Sequence, residues 1–363
     1  MTKSPNTYEF PGFIDVHVHF RDPGMPAAET TQSGASAARH GGFGAVVTMP
    51  NTTPAGDSVE WVRTQLYDTS LPVKIIPSAC ITRGRLGREV AQLEALADAG
   101  AAFFTDDGAY VADAKVMEEA MRRAKALDMC ICEHAMDLSI QKRGVMRDCE
   151  FARRLCLPVI PVEAETAAIK RDISLCRETG CRLHIQHIST AEGVELVRYA
   201  QKEGLRVTAE ATPHHLLLSC EEITADDANW KMAPPLGNHE DRAELRRAVK
   251  DGVLMFATDH APHPPQAKDI GFLRSANGII GLETAIPITY YVMVEQEKMG
   301  IKDWARAWYD MPLGIIRDGP ERLARIPHTK IEIGKPRKVK SKFFRSLSRN
   351  MPYEDMEFSC WPV

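Results

Sequence analysis

Eight short apolar runs punctuate the first three quarters of the chain, each ending in polar residues or a turn signal. They are FPGFIDVHVHF, FGAVVTMPNT, VKIIPSACI, AAFFTDDG, MCICEHA, RLHIQHIST, RVTAEATPHH and VLMFATDHAPH. The runs are nearly continuous, which is the pattern of parallel strands buried on both faces. Stretches of helical periodicity separate most of them. Leu86, Val90, Leu93 and Ala97 fall at i, i+4, i+7 and i+11 and predict one buried helical stripe over 86–99. Ser189 followed by Glu192 is a capping-box pattern opening a helix to about Tyr199, and 113–127 and 163–179 predict two more. Strands alternating with helices predict an α/β fold, a (β/α)8 TIM-type barrel, with an open doubly wound sheet as the competitor.

After about Pro327 the pattern changes to a basic segment punctuated by Pro and Gly and ending in MPYEDMEFSCWPV. The expected division is therefore a barrel over 1–326 and a basic tail over 327–363. At 363 residues, 44% hydrophobic and 26% charged, the chain can bury a large core. Its 45 basic and 49 acidic residues leave no overall basic excess of the kind a nucleic-acid ligand requires. Between Lys330 and Arg349, however, eight basic residues stand against Glu332 alone, so the balance sums an acidic barrel and a basic tail. Nine cysteines, an odd number scattered from Cys80 to Cys360, suit reduced buried thiols better than a disulfide framework. MTKSPNTYEF has no apolar signal core and no stretch reaches membrane-spanning length, so a cytoplasmic protein with no membrane partner is expected.

The chemistry concentrates at the strand ends. In Asp15-Val16-His17-Val18-His19, alternation puts His17 and His19 on one side, where the pair can grip a metal ion. Histidine or aspartate recurs after four later runs, at Asp106, His134, His187 and Asp259. Barrel enzymes build their sites on that face. Four histidines and two carboxylates suit zinc or another borderline divalent ion, and two ions where one carboxylate bridges. Asp107 stays open as the alternative to Asp106, because a one-residue shift reverses which side chain faces inward. Cys130 and Cys132 are read as buried thiols, His214 and His215 as supporting or rim residues, and His184 as facing the helices, opposite His187.

DVHVHFRDPG, MPNT, HIQHIST and ATDHAPH together resemble the dihydroorotases of the cyclic amidohydrolase family, over about 11–319. The resemblance implies reversible, zinc-dependent cyclisation of N-carbamoyl-L-aspartate to L-dihydroorotate in de novo pyrimidine biosynthesis, with one or two zinc ions per subunit. It makes His17 and His19 ligands of the more buried ion and His134 and His187 ligands of the more exposed one. It also makes Asp259 both ligand and acid/base, and Asp106 the bridging carboxylate in place of the carboxylated lysine of many relatives. Arg21 is placed to hold a substrate carboxylate by its position two residues beyond His19. The resemblance adds Asn51 and His263 to that carboxylate site, and Asn277 and Gly278 to a loop covering the ring. Further copies of the same chain and an aspartate transcarbamoylase are the partners it implies.

Two departures stand out. Ala233 replaces an asparagine common before Pro-Pro in a substrate-contacting segment, and Asn277 replaces a common aromatic. Only about ten residues precede Pro11, and SLSRNMPYED, similar to the family's Ser-x-Ser-x-Asn-x-Pro segment, is followed by a short end. The small β-domain of the family is therefore expected to be reduced or absent. The alternative functions are another cyclic amidohydrolase of hydantoinase or allantoinase type, and a non-catalytic homologue scaffolding aspartate transcarbamoylase.

Overall fold

The computed structural model describes residues 6–66, 68 and 70–363; the first five residues of MTKSPNTYEF lie outside it. Among the described residues, ten strands form three sheets. Strands β2 (Phe13–Val18), β3 (Phe43–Thr48) and β4 (Lys74–Pro77) form one parallel sheet, and β5 (Cys130–Glu133), β6 (Arg182–Ile185), β7 (Val207–Ala211) and β8 (Leu254–Phe256) form another. Single parallel bridges lie between them: Phe104 with Ala79 and Ile131 on one side, Val18 with His260 on the other. AAFFTDDG thus contributes one bridging residue where a full strand is expected. The third sheet is antiparallel, in the order β1 (Asn6–Phe10), β9 (Thr329–Lys338), β10 (Glu357–Pro362), so the start of the chain pairs with its basic tail.

Two large apolar clusters explain the continuous runs. One joins outward strand residues such as Phe13, Val46 and Ile131 to helix residues such as Trp61, Met117 and Ile169. The other draws the alternate strand residues, Ile14, Val16, Val47, Ile76, Phe103, Cys132 and Met255, and is closed at one end by Ile315, Ile316 and Leu323. Burial on both faces removes the polar alternation that a half-exposed strand would show.

Helices form at Ala114–Ala126 and Glu163–Thr179 as expected, the first capped by Asp113, which accepts from the Lys115 N–H. Two expectations fail locally. The 86–99 stripe is helical only over Leu93–Ala99, and Leu86 is 68% exposed. Gly84 and Gly87 take φ of 58° and 67°, and Thr82 pairs antiparallel with Val90, so this stretch turns back on itself before the helix begins. The helix Ala191–Lys202 is capped by Thr190, which accepts from the Gly193 N–H. Ser189 is occupied elsewhere, donating its N–H and Oγ–H to Glu165. All nine cysteines are free thiols; eight are buried, and Cys156 is exposed, contrary to expectation.

Candidate metal and substrate site

Four histidines and two aspartates meet at the ends of the parallel strands. Ile14 and Val16 belong to the inner cluster of alternate strand residues, whereas Val18 packs with the helices, so the facing reverses within β2. The reversal coincides with an irregularity in register between Asp15 and Val18, where β2 carries one residue more than β3. Such a bulge re-aims side chains. Here it turns His17 inward together with His19. Asp15 secures the kink, accepting the His17 N–H (3.2 Å) and the Thr258 N–H (3.0 Å). His187 and Asp259 take φ of 32° and 48°, a left-handed conformation costly for non-glycine residues and concentrated at functional sites.

Asp107, and not Asp106, reaches the histidines. Its carboxylate lies 3.3 Å from Nε2 of both His17 and His19, 3.6 Å from His134 Nδ1 and 3.4 Å from His187 Nε2. Asp106 faces the other way, accepting the N–H groups of Ile81 (2.9 Å) and Thr82 (3.1 Å) and the Thr82 hydroxyl. These bonds fix the parity of the turn. Arg85 holds the same turn from behind by donating to the carbonyls of Asp106 and Asp107. Asp259 completes the cluster, with Oδ1 2.9 Å from His19 Nε2 and 3.6 Å from His17 Nε2.

The charges fit a cation. His17, Asp107 and His187 form one group with ligand atoms mutually within 4.8 Å, and His17, His19 and Asp259 form a second. His17 Nε2 and Asp107 Oδ1 are buried without a hydrogen-bond partner although they face each other. Burial would push the Asp107 and Asp259 carboxyls up, yet the surrounding histidines hold both well below the usual carboxylate range. Burial lowers His19 and His134, which favours the neutral imidazole a metal needs.

One participant carried no sequence signal. Glu210, buried on β7, accepts the Nδ1–H of His17 at 2.6 Å, contacts His184 Nε2 at 2.9 Å, and receives the His187 N–H at 3.2 Å. His184 therefore points inward to Glu210, against the expectation that it faces the helices. Against burial, which raises it, the charge of His17 lowers the Glu210 carboxyl to about 2. His17 thus has its Nδ1 committed and its Nε2 free to face the cluster, the arrangement that orients metal-binding histidines generally. Asn51 does the same for His19, with Oδ1 2.9 Å from Nδ1. His214 and His215 are both buried behind the site. His215 is held by Thr212 and the Pro234 carbonyl, while His214 Nε2 has no partner.

A cavity of about 270 Å³ opens onto this cluster, lined by His19, Arg21, Asn51, Asp107, His134, His187, Ala233, Asp259, His263, Asn277 and Gly278 among others. It brings together every expected site residue except His17, which sits beneath it, and Asp106. Arg21 is buried, its Nε donating to the Pro262 carbonyl (3.1 Å) and its guanidinium 3.5 Å from His263 Nε2. Burial lowers its pKa only to about 10, so it stays cationic. Burial and Arg21 lower His263 to about 3, leaving a neutral ring that hydrogen-bonds the Asn277 carbonyl (2.7 Å). Gly278 adopts φ 125°, and a Cβ there would stand 2.6 Å from that of Ala261, so no side chain fits.

A family model described as Dihydro-orotase-like matches residues 9–193, half of the chain. The chain belongs to the dihydroorotase-like family. It is 43% identical to a dihydroorotase of a Geobacillus species, over 97% of this chain and 84% of that protein. Among solved structures, it superposes on an L-hydantoinase (dihydropyrimidinase) from Arthrobacter aurescens with a TM-score of 0.83 at 24% identity, covering 98% of this chain and 83% of the other. With a Saccharomyces cerevisiae dihydroorotase in complex with 5-fluoroorotic acid the TM-score is 0.72 at 16% identity, covering 98% of both chains. At these identities the superpositions establish a shared amidohydrolase fold. Among the described residues of this family member, no helix is long and apolar enough to cross a membrane.

Proposed function

We propose that this chain is a zinc-dependent dihydroorotase that interconverts N-carbamoyl-L-aspartate and L-dihydroorotate in cytoplasmic de novo pyrimidine biosynthesis. The observation that carries the reading is Arg21, a buried cation in the same cavity as the histidine and aspartate cluster and flanked by Asn51 and His263. An anionic ring needs such a fixed anchor, and a neutral hydantoin does not.

His17, His19 and Asp259 would hold one zinc ion, and His134 and His187 a second, with Asp107 between them. When bound, zinc supplies Lewis acidity, acidifying water and polarising an amide carbonyl. In ring opening, Asp259 takes the proton of the attacking water and delivers it to the ring nitrogen as the C–N bond breaks. In ring closure the transfers reverse: Asp259 takes the proton that the ureido nitrogen loses as it attacks the carboxyl carbon and hands it to the hydroxyl that leaves as water. Arg21, with Asn51 and His263, holds the carboxylate that does not react.

The fold proposed with this function is a closed (β/α)8 barrel over 1–326. The bridges of Phe104 and Val18 support closure, and the three-stranded antiparallel sheet supports a reduced small domain that includes 327–363. Self-association and docking to an aspartate transcarbamoylase are read by sizing the protein alone and with that enzyme. The deciding experiment loads the protein with zinc and compares hydrolysis of dihydroorotate, hydantoin and allantoin. Preference for dihydroorotate is expected. Preference for hydantoin makes it the rival amidohydrolase, and inactivity on all three with no zinc retained makes it a scaffold.

A further inference from the structure

The segment after β9 reads as a basic appendage in the sequence, yet one of its residues, Asn350, bonds the backbone of residues that line the substrate cavity. Ser346, Ser348 and Asn350 are buried, while Arg345, Leu347 and Arg349 alternate with them at the surface. Two buried carboxylates, Glu283 and, from the other end of the chain, Glu29, hold this extended stretch. Glu283 accepts the N–H groups of Arg345 (2.8 Å) and Ser346 (3.1 Å). Glu29 accepts the Leu347 N–H (3.2 Å) and the Ser346 hydroxyl. The segment is thereby delivered in register to Asn350.

The Asn350 amide joins two stretches that line the cavity. Its Oδ1 accepts the His263 N–H (3.1 Å), and its Nδ2 donates to the carbonyls of Ala261 (3.0 Å) and Gly278 (3.0 Å). Its own carbonyl accepts the Ile280 N–H at 3.0 Å. Ala261 and His263 bracket Pro262, whose carbonyl anchors Arg21. One side chain therefore fixes the backbone carrying His263, the backbone that orients Arg21, and the glycine of the covering loop. Among polar side chains of this size, only a carboxamide offers one acceptor and two donors in this arrangement.

We propose that Asn350 is a positioning residue for substrate, holding Arg21, His263 and Gly278 in the geometry that receives the carboxylate-bearing ring. This rests on the dihydroorotase reading. Asn350 touches neither substrate nor the zinc ligands, so its loss should weaken ground-state and transition-state binding together. Asn350→Ala leaves the His263 N–H and the Ala261 carbonyl unpaired and the Gly278 carbonyl with Lys268 Nζ as its remaining partner (2.9 Å), and Asn350→Asp turns a carboxylate toward two carbonyls.

The test uses the full zinc-loaded chain. In both variants KM for dihydroorotate and the dissociation constant of orotate, a planar carboxylate-bearing analogue, should rise about tenfold or more. In both, kcat should change less than threefold and bound zinc should stay at the wild-type level. Ser348→Ala, which removes a bond of the same segment to the Ala28 carbonyl, should leave all four quantities unchanged. Combined with Arg21→Lys, Asn350→Ala should raise KM by less than the product of the two single effects, because it acts through Arg21. An orotate affinity within twofold of wild type, an equal loss in Ser348→Ala, multiplicative effects with Arg21→Lys, or failure of both Asn350 variants to fold overturns the proposal. A wild-type protein that neither binds orotate nor opens dihydroorotate overturns the dihydroorotase reading instead.

Discussion

Substituting Glu210 by glutamine isolates what the carboxylate beneath the histidine cluster contributes. The side chain keeps its size, so packing on β7 is preserved, but it offers one acceptor where Glu210 presents two oxygens to His17, His184 and the His187 N–H. The bond to His17 is short, at 2.6 Å, and fully buried, so it falls in the charge-assisted class worth about 1.5–3 kcal/mol. With the charge gone, His17 Nε2 becomes a poorer electron donor and its ring loses its orienting partner. At about 1.4 kcal/mol per tenfold, that bond energy corresponds to a drop in zinc affinity of about 10- to 150-fold. The range agrees with the roughly 10- to 100-fold that outer-shell partners of metal ligands usually contribute. Competition for zinc with a chromophoric chelator measures it directly, with circular dichroism checking the fold. A folded Glu210→Gln protein whose zinc affinity lies within twofold of wild type would falsify the claim that Glu210 tunes the metal ligand.

Three further outcomes separate the roles assigned to individual carboxylates. Asp259→Asn should lower kcat by about 10²–10⁴ while the protein still folds and binds orotate; near-normal turnover would remove Asp259 as the proton carrier. Asp107→Ala should reduce bound zinc by elemental analysis. Asp106→Ala should keep zinc and instead cost stability, about 1–3 kcal/mol by denaturant unfolding, because it leaves the Ile81 and Thr82 N–H groups unpaired; the opposite pattern would return the metal role to Asp106. Burial raises the Asp172 carboxyl to about 6 despite its pairing with Arg171 (2.7 Å). A raised carboxyl favours the folded state at low pH and loses that contribution as pH rises toward 6. Asp172→Asn should therefore flatten the stability profile between about pH 4 and 6, by at most about 3 kcal/mol, and an unchanged profile in urea titrations would contradict the assignment.

How far the sequence could be read depended on whether a signal was local. The apolar runs located the strands because burial on both faces is written into each run independently of its neighbours. Within H-x-H, alternation correctly put His17 and His19 together, since both lie beyond the extra residue in β2. Counted from Ile14, the same alternation would have pointed His17 outward. The Asp106–Asp107 turn defeated the rule, because its parity is set by hydrogen bonds from residues 81 and 82, more than twenty positions away. The 86–99 stripe failed for a related reason: the glycines at 84 and 87 allow a turn that the spacing of leucines does not register.

Glu210 lies beyond any pattern argument, and Asn350 is marked only by the resemblance of SLSRNMPYED to a family segment, which says nothing of what the side chain touches. Glu210 stands 193 residues from His17 and Asn350 87 residues from His263, and neither sits in a spacing that chemistry requires. Residues that bind a metal or a carboxylate must present particular atoms, which limits their identity and placement enough to leave a motif. Residues that orient those ligands need only reach them in space, and strand ends gather side chains from every part of the chain. The supporting layer of such a site is thus the part least visible in sequence. In this chain it extends into the basic segment that composition sets apart as a tail.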